Sequence, residues 1–405
     1  MIMNDKKIKK VPNVPNLRFL DDTEAWNEHL LGEICTFLKG NGISKGDLSN
    51  TGFPCILYGQ LYTTYKKEII KYVLSKTDTK LSKPILSVKN DVIIPGSGET
   101  PEDIATACCV LVDNVLYGGD LNIIRLYKHN GVFLSYQLNG KRKFDIAKIA
   151  QGKSIVHLHN EDLSKLKIYY PSKTNITNKI VSLLEKIDNR IETQSKIIED
   201  LKRVKEAISN YIFGDKSTIN RSWSLINLNQ ILCERKEYET KESIYPHVTL
   251  SKDGIYIKNE RYNRDFLVKN EEKEYKITRL NDICYNPANL KFGVICINTF
   301  GEAIFSPIYV TYVINNDYNP VFIAEYLTNK SFIGHIRKYE QGTVYERMAV
   351  SSEDFLKGKV YIPELSIQQK IAKIFSSFDK KLELEKNILM RYMKQKDYLL
   401  NNLFI

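Results

Sequence analysis

The stretch IVSLLEKIDNRIETQSKIIEDLKRVKEAISNYI, residues 180–212, places apolar side chains in alternating steps of four and three residues. The apolar positions of this series are Ile180, Leu184, Ile187, Ile191, Ile198, Leu201, Ile208 and Ile212. Two polar residues, Gln194 and Lys205, interrupt it. An apolar seam sustained over about five heptads predicts a long helix that pairs with another helix.

A second stretch, residues 371–403, repeats the pattern. Its apolar positions are Ile371, Phe375, Phe378, Leu382, Leu389, Tyr392, Leu399 and Leu403. Its polar interruptions, Glu385 and Lys396, correspond to Gln194 and Lys205. The shared register favours mutual, antiparallel pairing, with Gln194 and Glu385 near the centre fixing the coiled-coil register. The alternatives are two separate surface helices, and central polar residues that point to solvent.

The segments that precede the two helices are duplicated as well, which indicates an internal repeat. The matching motifs are Trp26-x4-Leu31-x2-Ile34 with Trp223-x4-Leu228-x2-Ile231, Asn90-Asp91-Val92 with Asn281-Asp282-Ile283, Gln151-Gly152 with Gln341-Gly342, and Glu161-Asp162-Leu163 with Glu353-Asp354-Phe355. Both segments mix short β-branched or aromatic runs, such as ILYGQLYTTY and PIYVTYVI, with turns and two helical runs, and these features predict strands and helices. We predict Gly214 as a left-handed helix terminator and Ser366 with Gln369 as a capping box.

The predicted fold class is α+β, with two similar globular α/β domains joined by two long helices that form an antiparallel coiled coil with pseudo-twofold symmetry. The boundaries that follow from the motifs are an N-terminal arm at 1–25, a first domain at 26–171, a central helix at 172–216, a second domain at 217–363 and a C-terminal helix at 364–405.

The charge balance points to a polyanionic partner. The chain of 405 residues has 59 Lys and Arg against 48 Asp and Glu, a formal net charge of +11. DNA, RNA or an anionic membrane would each fit this excess. No apolar run approaches the roughly 20 residues that span a bilayer, and the N-terminus lacks the apolar core of a secretory signal.

No catalytic or metal-binding motif is found in the sequence. The seven cysteines form no CxxC pair, which predicts reduced thiols in a cytoplasmic protein and no metal site. An amino-methyltransferase needs an Asp/Asn-Pro-Pro-aromatic motif, and the nearest string, residues 285–288 (YNPA), lacks the second proline and the aromatic. The glycines of residues 40–46 (GNGISKG) have the wrong spacing for a P-loop.

Along nearly its whole length the sequence resembles the specificity subunits of type I restriction–modification systems. The resemblance is carried by VPNLRF, CILYGQLYTTY, IIPGSGETPEDI, GGDLNIIRL and AQGKSIVHL in the first half, and by VTLSKDGIY, CYNPANLKFG, FSPIYVTYVI and PELSIQQKIAKIFSSFDKKLEL in the second. The segment IVSLLEKIDNRIETQ is similar to the duplicated partner of the last one, although the first helix opens with TNITNKI and lacks its Gln-Gln-Lys.

The resemblance implies that each globular domain is a target recognition domain that reads one half of a split, asymmetric site in double-stranded DNA. The helices would act as spacer and as docking platform for two modification subunits, which bind S-adenosylmethionine and methylate adenine. Separate motor and nuclease subunits would use ATP and Mg²⁺ to cleave foreign DNA. The chain itself would carry no cofactor and no catalytic residue. A self-sufficient DNA methyltransferase or restriction enzyme and a non-specific coiled-coil scaffold are the alternatives.

Reading DNA requires polar side chains on loops that reach base edges, together with cations that contact phosphate. The candidates in the first domain are Tyr58, Gln60, Tyr62, Thr63, Thr64, Tyr65, Lys66, Ser97, Glu99, Thr100, Lys141, Arg142 and Lys153. The candidates in the second domain are Ser251, Lys252, Asn286, Asn289, Lys291, Ser306, Tyr309, Tyr345 and Arg347. A solvated loop residue or a tyrosine at the edge of the core is the alternative role for each.

Overall fold

The computed structural model describes residues 2–4, 13–65, 67–152, 155–214, 223–240, 243–252, 254–258, 274–342 and 348–405. The chain divides into two compact units, which we call unit 1 (residues 1–194 and 388–405) and unit 2 (residues 195–387). This division differs from the predicted domain boundaries because it cuts both long helices, so that each unit contains one end of each helix.

The two long helices are the central helix, Thr174–Phe213, and the C-terminal helix, Leu365–Asn402. Each helix begins shortly after a proline that follows a strand. Proline disfavours helical backbone in the residue before it, so the helix can start only beyond the proline. The predicted ends were partly wrong. Ser366 lies inside the helix, and the side chain of Gln368 accepts a hydrogen bond from Asn319 N at 2.9 Å. Gly214 is not left-handed; a Cβ there would lie 2.3 Å from the carbonyl oxygen of Asn210.

In unit 1 the start of the central helix packs against the end of the C-terminal helix. Lys396 Nζ lies 2.7 Å from Asp188 Oδ1. Tyr392, one turn earlier in its helix, lies under the guanidinium of Arg190, which comes later in the central helix. The two helices of unit 1 therefore run in opposite directions.

In unit 2 the end of the central helix packs against the start of the C-terminal helix. Lys205 Nζ lies 2.7 Å from Asp379 Oδ1. Further along the central helix, Phe213 stacks with Phe375, which comes earlier in the C-terminal helix, at 6.0 Å between ring centroids. The helices are again antiparallel, which confirms the predicted pairing.

Unit 1 is built around a five-stranded sheet. In spatial order its strands are Cys35–Lys39, Leu121–Leu126, Asp91–Pro95, Cys108–Val110 and Ile69–Ile70, and only the last pair is parallel. A second sheet contains Leu116–Tyr117, Phe53–Ile56, Ser75–Thr77 and Leu48–Ser49. Two-stranded pairs are formed by Ile2–Asn4 with Leu17–Phe19, Ser97–Gly98 with Val156–His157, and Asn27–Leu30 with Lys167–Tyr170. The short helices are Leu31–Glu33, Lys45–Asp47, Leu61–Tyr65, Pro101–Ile104, Gly131–Asn139, Lys143–Ile149 and Asn160–Ser164.

Unit 2 repeats the inner part of this arrangement. Its antiparallel sheet has the order Leu232–Glu234, Val310–Ile314, Ile283–Tyr285 and Ile295–Ile297. A second sheet contains Tyr238–Glu239, Tyr275–Thr278 and Ala303–Phe305, and further pairs are Val248–Ser251 with Gly254–Ile257 and Ser224–Asn227 with Lys359–Ile362. The short helices are Leu228–Ile231, Pro287–Phe292, Pro320–Thr328, Lys330–Ile336, Arg337–Tyr339 and Ser352–Leu356.

The duplicated tryptophans anchor equivalent cores. Trp26 packs with its ring centroid 5.8 Å from Phe133, and Trp223 packs 5.9 Å from Phe322. The core of unit 1 joins Trp26 to seam residues of both long helices, and the core of unit 2 does the same around Trp223. Each helix end is therefore part of a hydrophobic core, and each fully buried side chain contributes about 1.5–3 kcal/mol.

The duplicated Asn-Asp motif forms the same turn in both units. Asn90 and Asn281 have positive φ angles of 84° and 70°, a conformation that asparagine tolerates well. Asp91 then accepts a hydrogen bond from the backbone N–H of Val88 at 2.8 Å, and Asp282 accepts one from Arg279 at 2.7 Å. The motif is thus a structural turn that begins the central strand of each inner sheet.

The duplicated Gln-Gly motif needs its glycine for the same reason in both units. Gly152 and Gly342 have φ angles of 143° and 146°, which residues with a Cβ rarely adopt. Gln151 bridges to His157 and Gln341 bridges to Ala349 in antiparallel fashion. The motif therefore reverses the chain after the helical region of each unit.

Candidate nucleic-acid interface

The predicted reading loop after strand Phe53–Ile56 is a π-helical turn, Leu61–Tyr65, so the extended strand predicted for ILYGQLYTTY is wrong beyond Ile56. Gln60 braces this turn, because its Oε1 accepts from the N–H of Leu57 at 2.9 Å and its Nε2 donates to Ser75 Oγ. Thr63 is exposed but donates to the carbonyl of Gly59 at 2.7 Å. The turn is therefore preorganised by its own side chains.

The tyrosines of this turn are half-buried. Tyr58 and Tyr65 pack against the core cluster that contains Ile56 and Leu61, and the hydroxyl of Tyr65 accepts from the N–H of Leu74 at 3.3 Å. Burial raises the pKa of Tyr62 and of Tyr65, so both are neutral hydrogen-bonding groups at physiological pH. The side chain of Thr64 in this turn is exposed, and its hydroxyl lies 3.4 Å from the hydroxyl of Thr63.

The GSGET loop presents one exposed carboxylate. Ser97 is buried and donates to Asp120 Oδ2 at 3.2 Å. Thr100 is the N-cap of helix Pro101–Ile104 and accepts from the N–H of Asp103 at 3.1 Å. Glu99 between them is exposed. Of the three predicted residues in this loop, Glu99 is the exposed one whose side chain does not cap a helix, so its role as a DNA contact stays a prediction.

The two predicted cations beside helix Lys143–Ile149 differ in their surroundings. Lys141 is exposed. Arg142 donates to Asp145 Oδ2 and to the carbonyl oxygen of Ile405, each at 2.8 Å, and its guanidinium lies over the ring of Tyr169 at 5.1 Å. These contacts favour a structural role for Arg142 in holding the end of the C-terminal helix, and leave Lys141 as the stronger phosphate candidate.

The candidates of unit 2 that fall within the described residues lie in three turns. Asn286 is buried and caps helix Pro287–Phe292 by accepting from the N–H groups of Ala288 and Asn289 at 3.1 and 3.2 Å. Asn289 is half-buried. Lys291 is exposed, and its ammonium lies 5.1 Å from the centroid of the Phe292 ring.

The other two turns of unit 2 flank strands. Ser251 and exposed Lys252 lie at the end of strand Val248–Ser251, and the Ser251 hydroxyl donates to the carbonyl of Gly254 at 3.4 Å. Ser306 accepts the N–H of Tyr309 at 3.1 Å through its carbonyl, and the Tyr309 ring packs edge-on against Phe305. Lys252 is therefore the exposed cation among these residues.

Four predicted residues, Lys66, Lys153, Tyr345 and Arg347, lie outside the described residues. The two predicted register residues are inside them. Gln194 and Glu385 are both buried at 7% exposure, and Glu385 forms an ion pair with Lys381 at 2.6 Å within unit 2. Burial of both side chains argues against the alternative in which they point to solvent.

Two exposed phenylalanines are absent from the candidates predicted from the sequence. Phe144 is 73% exposed next to Lys141 and Lys143, and Phe292 is 67% exposed beside Lys291. An exposed ring next to a cation can stack on a base while the cation meets a phosphate. In the sequence, each of these rings directly follows a lysine, as Lys143-Phe144 and Lys291-Phe292.

Three features of the described residues concern metal binding, thiol reactivity and membrane insertion. The described residues contain no cluster of three or more His, Cys, Asp or Glu arranged to hold a metal ion. Burial raises the pKa of the Cys35 and Cys109 thiols to about 12, so neither is a thiolate nucleophile. No helix in the described parts of the chain is long and apolar enough to cross a bilayer.

Comparison with known proteins gives one consistent result. The profile of the type I restriction modification DNA specificity domain matches residues 23–203 and again residues 227–391. A relative from Mycoplasma genitalium, named as a type I specificity subunit, is 23% identical over 307 residues, which is 70% of this chain and 73% of that protein.

Two solved structures share the fold. The S subunit of a type I restriction–modification system from M. genitalium gives a TM-score of 0.58 at 18% identity, covering 97% of this chain and 99% of that one. A chain from a structure on complex assembly and conformational transition of the type I system gives 0.58 at 14% identity, covering 93% and 96%.

Proposed function

The chain belongs to the type I restriction–modification DNA specificity family, and we propose that each of its units reads one half of a split, asymmetric DNA site. As a specificity subunit it recognises DNA and leaves catalysis to other subunits, and DNA and the other restriction–modification subunits are its partners. The paired helices would set the gap between the half-sites.

The observation that supports this proposal best is the double match of the DNA specificity domain profile, at residues 23–203 and again at residues 227–391. The two units share the Trp-anchored core and the Asn-Asp turn, whereas their outer strands and loops differ. A shared inner scaffold with different outer loops is suited to reading two different base sequences, because specificity comes from side chains at base edges.

The helices would also be the docking platform for two modification subunits. Those subunits would bind S-adenosylmethionine and methylate adenine, and motor and nuclease subunits would use ATP and Mg²⁺. This chain would then need no cofactor of its own.

Methylome sequencing of cells that express this chain with its modification subunit tests the proposal. We expect one methylated motif made of two short specified sequences separated by a fixed unspecified gap. A continuous motif, or none, would contradict it. Pure chain incubated with labelled S-adenosylmethionine and DNA should transfer no label, whereas adding the modification subunit should restore transfer. Transfer by the pure chain would establish a self-sufficient methyltransferase instead.

A further inference from the structure

Two of the polar residues that interrupt the apolar seams are lysines, Lys396 and Lys205. Each of them forms ion pairs with two carboxylates of its own unit. In unit 1, Lys396 Nζ lies 2.6 Å from Glu68 Oε2 and 2.7 Å from Asp188 Oδ1. The side chains of Lys396 and Glu68 are only 17% and 10% exposed. Burial lowers the pKa of Lys396, but the two carboxylates raise it overall, so the ammonium is charged at neutral pH.

Unit 2 contains the equivalent arrangement. Lys205 Nζ lies 2.7 Å from both Glu325 Oε1 and Asp379 Oδ1. The lysine comes from the central helix and the aspartate from the C-terminal helix, the reverse of unit 1, as a twofold repeat requires. Lys205 is 21% exposed and Asp379 is 53% exposed, so this cluster is the wetter of the two.

The third charge of each cluster comes from the globular part of its unit. Glu68 immediately precedes strand Ile69–Ile70 in unit 1, and Glu325 lies on helix Pro320–Thr328 in unit 2. Each lysine therefore joins three elements, which are its own helix, the antiparallel partner helix and the recognition domain. The lysine and the aspartate are duplicated in the sequence, and the domain carboxylate is supplied from a different place in each unit.

In unit 1 this junction lies next to the predicted reading turn. Lys67 pairs with Glu192 at 2.8 Å and Lys71 pairs with Glu185 at 3.1 Å, both on the central helix. The segment 67–71 thus contacts the central helix through two lysines and the C-terminal helix through Glu68. One residue separates the segment 67–71 from the turn Leu61–Tyr65. Its contacts therefore connect that turn to both helices.

Stability alone does not explain a buried lysine at a seam position. Replacing a buried ion cluster by apolar residues is often neutral or stabilising, because desolvation offsets much of the attraction. Apolar contacts are also non-directional, whereas a buried ammonium needs both carboxylates within hydrogen-bond distance and loses stability if either moves away. The duplicated lysines are therefore suited to fixing an orientation.

We propose that Lys396 and Lys205 are positioning residues that lock each recognition domain in one orientation on its helix pair, and thereby hold DNA recognition to one gap length. This inference rests on the proposed two-half-site function. Changing the gap by one base pair moves the second half-site by about 3.4 Å and rotates it by about 35°. A locked domain cannot follow that rotation, whereas an unlocked domain can turn with the DNA.

The test removes the charges and keeps the shapes in the triple variant Lys396→Met, Glu68→Gln and Asp188→Asn. The full chain, assembled with its modification subunit, is assayed on duplexes whose half-sites are separated by the native gap or by one base pair more or less. We expect the ratio of methylation at the altered gap to that at the native gap to rise roughly tenfold, with both half-site sequences unchanged.

Two further variants keep the test decisive. Arg203→Met removes an exposed cation of the central helix, which pairs with neighbouring acids of that helix, and should leave the ratio unchanged. Lys396→Arg keeps the charge but alters the geometry, and should change the ratio even if the triple variant fails to fold. A folded triple variant or Lys396→Arg variant with the wild-type ratio would overturn the inference. Wild-type complex with no dependence on a second half-site would instead contradict the proposed function.

Discussion

Units 1 and 2 form the same kind of buried ion pair with an arginine from a different position in each unit. Each buries the aspartate of the duplicated Asn-Asp turn, and each pairs it bidentately with an arginine. The arginine of unit 1, Arg125, lies in the strand Leu121–Leu126, whereas that of unit 2, Arg235, directly follows the strand Leu232–Glu234. The turn has therefore kept its buried carboxylate in both copies, while its partner has changed.

Comparing the two units shows which structural features they share and which differ. The Trp-anchored cores, the turn aspartates and the seam lysines are common to both units. The outer strands, the reading turns and the domain carboxylates that meet the lysines are not. The lysines and aspartates on the helices are shared, whereas the domain carboxylates and the loops predicted to meet DNA differ, as expected for two domains that read different sequences.

The largest effect should come from the turn aspartate of unit 2. Arg235 is 11% exposed, so Asp282→Ala would leave a buried guanidinium without its main partner and lower the free energy of unfolding by about 3–5 kcal/mol. Arg125 is 33% exposed and can be rehydrated, so Asp91→Ala should lose only about 1–3 kcal/mol. Urea unfolding of the full chain measures both. Equal losses would show that burial of the arginine does not set the difference.

The next effect concerns recognition. If Glu99 contacts a base, Glu99→Ala should relax one half-site by about 1–3 kcal/mol and leave the other half-site intact. Lys252→Ala in unit 2 should weaken binding to all sequences alike and reduce the salt dependence, as expected for a phosphate contact. Binding is measured on base-substituted duplexes at several salt concentrations. Altered preference in both half-sites for Glu99→Ala would contradict separate reading units.

Gln60 is a poor probe of recognition, although the sequence suggested it. Its side chain braces the turn through Leu57 and Ser75, so Gln60→Ala would act through the conformation of the turn. A substitution at exposed Glu99 does not carry this ambiguity.

The smallest effect concerns two equivalent helix starts. Ser351 caps helix Ser352–Leu356 by accepting from the N–H of Asp354 at 3.1 Å, whereas His159 supplies no side-chain cap to helix Asn160–Ser164. Ser351→Ala should therefore destabilise unit 2 by about 1 kcal/mol, and His159→Ser should stabilise unit 1 by up to about 1 kcal/mol. Thermal unfolding checks both signs. Destabilisation by His159→Ser would mean that the histidine has another role.

The duplication made much of the fold predictable. Apolar period and repeated motifs identified both long helices, their antiparallel pairing and several strands of the inner sheets, because these depend on local pattern and on register. The turn Leu61–Tyr65 was predicted as a strand because its β-branched and aromatic residues favour one, yet in the structure Leu61 and Tyr65 pack into the core and the segment is a π-helical turn.

The seam lysines show why the rest was not predictable. The sequence marked Lys205 and Lys396 as interruptions but could not name their partners. Lys396 contacts Glu68, which lies 328 positions away in the chain. Only the packing of the recognition domain on the helices brings such residues together. The candidate DNA contacts share this difficulty, since only the folded chain shows that Thr100 and Asn286 cap helices while Glu99 and Lys252 are exposed.

The central claim is that the paired helices set the gap between the half-sites. The most direct test inserts one heptad in each long helix, immediately after Gln194 and Glu385, and measures the gap in the methylated motif. An added heptad keeps each apolar seam in phase and lengthens each helix by about 10.5 Å. At about 3.4 Å per base pair, the gap should grow by about three base pairs while both half-site sequences stay the same. Duplex twist would lower the affinity unless the DNA or the helices adjust. A methylated motif that kept its original gap at full activity would show that the helices do not set the spacing.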